Sequence, residues 1–213
     1  MLMKQISASG YRVSASGIGA DEVFSGYYDH HLAYFADIQN RGDNLTVALQ
    51  NWKQQVLPAI RNPQLQDPRL LVRDPFYREY LFPQSKRFAG LLHEDWQEPF
   101  VENQYSSSIL RNRMMNELLI ENVPVYLKEE DHNSMYFSVE NRSPYLDRGL
   151  YEFVSTIPTK FLIQNGLAKA VLRESMRDIV PDEILQQPVK TGFNAPIQAF
   201  LNLDDRSVNG AIC

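Results

Sequence analysis

The residue types best suited to chemistry open the chain. Ser16-Gly17-Ile18-Gly19-Ala20-Asp21-Glu22 combines a hydroxyl, two glycines and two adjacent carboxylates. Tyr11 to Ala15 reads as a short buried strand, and Ser16 to Gly19 as a tight turn whose two glycines permit positive φ and close approach of a ligand. A helix is expected from Ala20 to about Ile38, so that backbone N–H groups face outward from the carboxyl end of a strand, where an anion or nucleotide can bind. Asp21 and Glu22 then fall in the first helical turn, stabilised by the helix dipole and able to hold a divalent cation. Taken alone, the same pattern also describes an ordinary strand-to-helix connection.

Other reactive residues are scattered downstream. Lys128-Glu129-Glu130-Asp131-His132 lies on an expected helix and is most simply a solvated face. Glu140 and Arg142 precede Pro144 in an irregular stretch, where they form either an internal ion pair that fixes a loop or the substrate side of a site. His30 and His31 are adjacent rather than one turn apart. They point in different directions and read as surface or partly packed residues, not as a metal site. Cys213 is the single cysteine and has no partner for a disulfide.

Four ordered segments carry a resemblance. Residues 16–27, Ser-Gly-Ile-Gly-Ala-Asp-Glu-Val-Phe-Ser-Gly-Tyr, resemble the Ser-Gly-x-Gly-x-Asp-Glu-x-Phe-x-Gly-Tyr signature of glutamine-dependent asparagine synthetases and related enzymes. Asp131-His-Asn-Ser-Met135 with Ser138-Val-Glu-Asn-Arg-Ser-Pro-Tyr-Leu-Asp147 is similar to that family's Asp-Arg-Asn-Ser-Met and Val-Glu-x-Arg-x-Pro-Phe-Leu-Asp block. Lys169-Ala-Val-Leu-Arg173-Glu174, then Pro181 and Lys190-Thr-Gly-Phe193, resemble the two segments that follow in the family, in the same order.

The resemblance implies an α/β fold, as the mostly helical C-terminal portion of an adenine-nucleotide alpha-hydrolase-like (ATP pyrophosphatase) domain with only one or two strands. It implies adenylation of a carboxylate, aspartate to β-aspartyl-AMP, followed by transfer of ammonia from glutamine to give asparagine, AMP and pyrophosphate. ATP and Mg2+ are the implied nucleotide and ion. Ser16, Gly17, Ile18 and Gly19 would contact ATP, Asp21 the metal, and Lys169 and Lys190 the phosphates, with Lys190 nearer the chemistry. Glu130, Asp131, Glu140 and Arg142 are candidates for the substrate side or for acid–base work.

Ile18 departs from the pattern, because asparagine synthetases typically carry glutamate there. Isoleucine cannot take a proton, which opens the acceptor to other carboxylates, such as surface-sugar or antibiotic precursors. The family's phosphate loop, Ser-Gly-Gly-x-Asp-Ser, is not found in these residues, and no N-terminal cysteine could act as a glutaminase nucleophile. The chain is therefore expected to be part of a synthetase domain over 1–213, needing phosphate-loop and glutaminase regions in cis or in trans. On its own it is expected not to turn over ATP. A non-catalytic helical subunit remains the alternative.

The elements that must position these residues are mostly helical. At 213 residues the chain is long enough for a sizeable core, and 44% hydrophobic with 22% charged residues is a globular composition. A net charge of −5 without a basic run leaves no footprint for nucleic acid. No apolar run has the length of a membrane span and no signal peptide pattern is seen, so a cytoplasmic protein is expected. Asp43 is expected to cap a helix to about Val56. Pro58, Pro63, Pro68 and Pro75 then make 57–83 an irregular, aromatic-studded connection, with a helix over 84–96 after it. Leu110, Met114 and Leu118 recur at helical spacing between Ser106 and Leu127. Pro124 marks a boundary or kink within that stretch, and the next helix runs from about Val125 to Ser138. Asp147 is expected to cap a helix over 148–156. Further helices are expected over 167–178, from Pro181, and from Ala195 to about Leu201.

Overall fold

A computed structural model describes residues 2–42, 45–81, 89–93 and 102–190. Two short parallel strands, β1 (Val13–Ala15) and β2 (Glu140–Arg142), pair in the register Val13 with Glu140, Ser14 with Asn141 and Ala15 with Arg142. Parallel strands need a crossover between them, and the described part of it here is mostly helical. β2 falls in the stretch expected to be irregular. Glu-Asn-Arg has no β-branched or aromatic residue to announce a strand, and the pairing with β1 supplies what propensity does not. Nor is β1 buried as expected, since Val13 and Ala15 are exposed.

The helical body begins with α1 (Leu2–Ala8), which sequence reasoning did not anticipate. The single helix expected over 20–38 is two: α2 (Ala20–Phe24) and α3 (Tyr28–Arg41). Ser25 adopts φ 70° and Gly26 N–H closes on the Asp21 carbonyl at 2.9 Å, which ends the first helix. Helix α3 then starts at Tyr28 and ends at Gly42 with φ 75°, a left-handed position that glycine adopts without steric cost.

Helix α3 is the centre of the core. Leu32, Ala33, Phe35, Ala36 and Ile38 are all buried, and the helix packs against α4 (Leu45–Gln55), α5 (Leu70–Arg73) and α6 (Ile109–Asn116). Phe35 meets Trp52 edge to face with ring centroids 5.8 Å apart. The proline-rich connection contains two 3-10 turns, Leu57–Ala59 and Pro63–Gln66. Its Tyr77, Tyr80 and Leu81 pack onto the body, as the aromatic content suggests. Asp37 of α3 accepts from Ile109 N at 2.7 Å and from the Ser108 hydroxyl, so one carboxylate caps the start of α6 and ties it to α3.

The helical stretch after Ser106 is interrupted by a π turn, Glu117–Glu121, before α7 (Val123–Met135), where Pro124 sits in the first turn. A proline there has no hydrogen bond to lose. Asp147 caps α8 (Arg148–Thr156) by accepting from Leu150 N at 2.9 Å. The helix expected over 167–178 is shorter, α9 (Ala170–Ser175), and α10 (Asp182–Leu185) follows Pro181. Asp43, most of 84–96, Cys213 and the helix expected from Ala195 lie outside the described residues. Among the described residues no helix is long and apolar enough to cross a membrane.

Candidate functional site

Because β1 and β2 are parallel, their carboxyl ends share one edge, and the Ser16–Gly19 turn leaves from it. Ser16 N–H donates to the Arg142 carbonyl at 2.8 Å, and the Ser16 and Ser143 hydroxyls are 3.2 Å apart. Gly19 has φ 91°, and a Cβ there would come within 2.3 Å of Leu146 Cδ2. Both facts demand glycine. Gly17 differs from expectation: its φ is not positive, and a Cβ would meet nothing within 4 Å. Its freedom leaves open space beside the turn. Ile18 is half-buried. Helix α2 has only five residues, too short for a strong dipole, so the positive charge of the site comes from side chains.

Those side chains are Lys169 and Lys190, which converge on Asp21 from 148 and 169 positions away in sequence. Lys169 Nζ lies 2.6 Å from Asp21 Oδ1, and Lys190 Nζ lies 2.8 Å from Oδ2. Lys169 precedes α9 in a left-handed conformation, φ 57°, which costs a non-glycine residue about 1–2 kcal/mol. Its N–H donates to the Ser25 carbonyl at 3.0 Å, so the helix break at Ser25 anchors the lysine. Gly26 makes room: a Cβ on it would come within 1.7 Å of Asp21 Oδ1 and 2.6 Å of Lys169 Cε. Burial by itself would raise the Asp21 carboxyl, but the two ammonium groups outweigh it and hold the acid below its ordinary range.

Tyr27 supports this arrangement from beneath. Lys190 Nζ stands 3.8 Å from the centroid of its ring, and its hydroxyl donates to Glu22 Oε1 at 2.5 Å. Glu22, expected beside Asp21 as a second site carboxylate, is buried. Burial raises its carboxyl against the opposing hydrogen bond from Tyr27. The two acids of one dipeptide thus divide, one at the site and one inside.

Below Tyr27 lies a buried ionic network that corrects the reading of the histidines. His30 and His31 are both buried. His30 Nε2 is 2.6 Å from Glu117 Oε2, and Arg113 Nε donates to Glu117 Oε1 at 3.1 Å. Arg113 also meets Glu102 and Glu121, and Arg78 pairs with Glu102. Asp29, His30 and Glu117 are close enough to share an ion, but Arg113 and His30 already supply the positive partners of Glu117. The pattern Arg113, Glu117, Glu121 at four-residue spacing was a readable sign of such a network.

The remaining candidates sit apart from the lysines' contacts. Glu130 is half-buried and accepts from Asn141 Nδ2, while Asn141 Oδ1 accepts from the Ser14 hydroxyl at 2.8 Å; this line ties α7 to both strands. Asp131 is exposed. Glu140 and Arg142 do form an ion pair, Nε to Oε1 2.8 Å, but it is not internal: the side chains are 58% and 63% exposed.

Comparison with known proteins gives the family. The asparagine synthase family model matches residues 1–206. The chain belongs to the asparagine synthase family. Similar members include asparagine synthetase (glutamine-hydrolyzing) 1 of Bacillus subtilis (strain 168), 36% identical over 75 residues, which are 35% of this chain and 12% of that protein. Asparagine synthetase (glutamine-hydrolyzing) 3 of the same organism is 25% identical over 175 residues, 81% of this chain and 25% of that one. Amidase chry2 of Gibberella zeae is 22% identical over a 224-residue alignment covering 89% of this chain and 33% of the amidase. The alignments thus span at most a third of these relatives' length. No solved structure matches. The observed mostly helical α/β fold with two parallel strands agrees with the ATP pyrophosphatase-like fold implied by the resemblance.

Proposed function

We propose that this chain supplies the lysine-and-carboxylate wall of a carboxylate-adenylating site in an asparagine-synthetase-type amidotransferase. The observation that carries the reading is Asp21 holding Lys169 and Lys190 on its two oxygens beside the Ser16–Gly19 turn.

In the proposed reaction an acceptor carboxylate oxygen attacks the α-phosphorus of ATP. A new oxygen–phosphorus bond forms, the bridge to the β-phosphate breaks, and pyrophosphate leaves. Ammonia derived from glutamine then displaces AMP and gives the amide. Negative charge grows on the leaving pyrophosphate, so cations directed at it lower the barrier most. Lys169 and Lys190 are assigned that work, and Ser16 with the open face of Gly17 is assigned the adenylate. Asp21 fits a magnesium site as a single carboxylate ligand, since this ion takes one or two carboxylates together with substrate phosphates; when bound, it neutralises polyphosphate charge. Both Asp21 oxygens now face lysines, so nucleotide binding must draw the lysines from the carboxylate towards phosphate.

Arg142, whose carbonyl takes the Ser16 N–H, is the proposed cation for the acceptor, and Glu130, Asp131 and Glu140 remain candidate acids and bases. Aspartate is the first acceptor to consider. Ile18, half-buried and unable to move a proton, favours a second reading in which another carboxylate takes its place. The phosphate-loop and glutaminase functions are assigned to regions in cis or in trans.

The test is to supply the complete synthetase containing these residues with ATP, magnesium, ammonia and a panel of carboxylates. AMP and pyrophosphate formed in equal amounts with one amide support the proposal. ADP as the nucleotide product, or no dependence on any carboxylate, refutes it.

A further inference from the structure

Lys190 lies between two partners of different kind, and only one of them competes with a nucleotide. Its bond to Asp21 Oδ2 at 2.8 Å is a charge pair, which a polyphosphate or a cation on Asp21 would break. Its contact with the Tyr27 ring, 3.8 Å from the centroid, leaves the ammonium charge unneutralised and its hydrogen-bond donors free to face outward. A lysine side chain has a flexible four-carbon stem and ranges widely when held at one point only. Near a ring face it is drawn to the quadrupole whatever happens to Asp21.

We propose that Tyr27 is the positioning residue of Lys190: its ring face keeps the ammonium at the site when Asp21 releases it. The inference rests on the reading of Lys190 as a phosphate-facing lysine. Three contacts, to Glu22 and His30, hold Tyr27 in place for this role. The phenol donates to buried Glu22 at 2.5 Å, the Tyr27 amide lies 3.4 Å from His30 Nδ1, and the ring packs edge to face on the His30 imidazole with centroids 5.2 Å apart. His30 is itself held by Glu117 at 2.6 Å. The neighbouring Tyr28 hydroxyl donates to the Lys190 carbonyl at 3.4 Å, so the lysine's backbone is tethered to the same helix start. Tyr27 is thus rigid where Lys190 is flexible, the arrangement that lets one residue aim another.

The experiment is proton–carbon NMR of the 213-residue chain, with the Lys190 ε-methylene assigned by its disappearance in Lys190→Arg. A cation above a ring face feels the ring current, so the Lys190 ε protons are expected upfield of those of the other lysines. Tyr27→Phe retains the shift and Tyr27→Leu abolishes it. Once the signal is assigned, its position in the wild-type spectrum decides the contact, so the proposal does not depend on the Tyr27 variants folding. Lys190 ε protons at ordinary lysine positions in the wild-type chain, or unchanged by Tyr27→Leu, overturn it.

In the complete synthetase, Tyr27→Leu is expected to lower kcat about fivefold, the scale of one partly exposed cation–π contact, while Tyr27→Phe stays near wild type. Equal losses in the two variants contradict positioning through the ring face. An upfield shift without any ATP chemistry would keep the contact and reject the proposed function, whereas adenylation with no shift would do the reverse.

Discussion

Gly26 touches the Asp21 carboxylate through the lack of a side chain: a Cβ on Gly26 would come within 1.7 Å of Asp21 Oδ1. Gly26→Ala must therefore displace Asp21, Lys169 or the helix break itself. A loss of about 1–3 kcal/mol is expected, the range for overpacking, read as a lower urea midpoint. Gly17→Ala, with nothing within 4 Å of the new methyl, should keep the wild-type midpoint. Equal midpoints for Gly26→Ala and wild type would remove the cradle from the account.

Asp21 also predicts an acid limb. Its folded-state acid is depressed, so its ion pairs stabilise the fold above the ordinary carboxylate range, and that contribution is lost as pH falls through the depressed value. Asp21→Asn removes this limb and leaves two lysines facing each other without a counter-charge. Urea titrations at a series of pH values should show a shallower acid dependence for the variant. A parallel pair of curves would mean that the lysines do not pair with Asp21 in solution.

His31 acts in a neighbouring window. Burial pushes its imidazole down from 6.5 to about 3, with His30 next to it adding in the same direction. The unfolded chain takes up the proton first, so stability falls as pH drops from about 6.5 towards about 3. His31→Phe, which keeps an aromatic beside Phe35, should lose that slope. Retention of the full slope would place the responsible proton elsewhere.

The His30–Glu117 pair joins α3 to the π turn, two elements 87 positions apart in sequence. His30→Phe leaves Glu117 with Arg113 alone in a buried site, and breaking a buried pair costs about 3–5 kcal/mol. Replacing both His30 and Glu117 with apolar residues should cost less than the sum of the single changes. Additive losses would show that the two do not interact.

The sequence made the edge of the site legible and its depth obscure. The Ser16–Gly19 turn, Asp21 and the two lysines stand in short motifs whose residue types announce their chemistry. Tyr27 and Gly26 belong to the same stretch, yet their roles depend on Lys190 and Lys169, which no local pattern brings near. His30 and His31 read as superficial because helical spacing says nothing of what packs on the far side, where Glu117 meets His30. The strand at Glu140–Arg142 escaped for a different reason. Its three polar residues become a strand only because β1 offers a ladder.

The most direct test of the central claim is ATP–pyrophosphate exchange by the proposed complete synthetase, wild type against Lys190→Met. Carboxylate-dependent exchange in the wild type is expected to fall by about 10²-fold or more in the variant, the scale of removing a group that stabilises transition-state charge. Exchange undiminished by Lys190→Met would contradict the assignment of this lysine, and with it the wall of the site that Asp21 assembles.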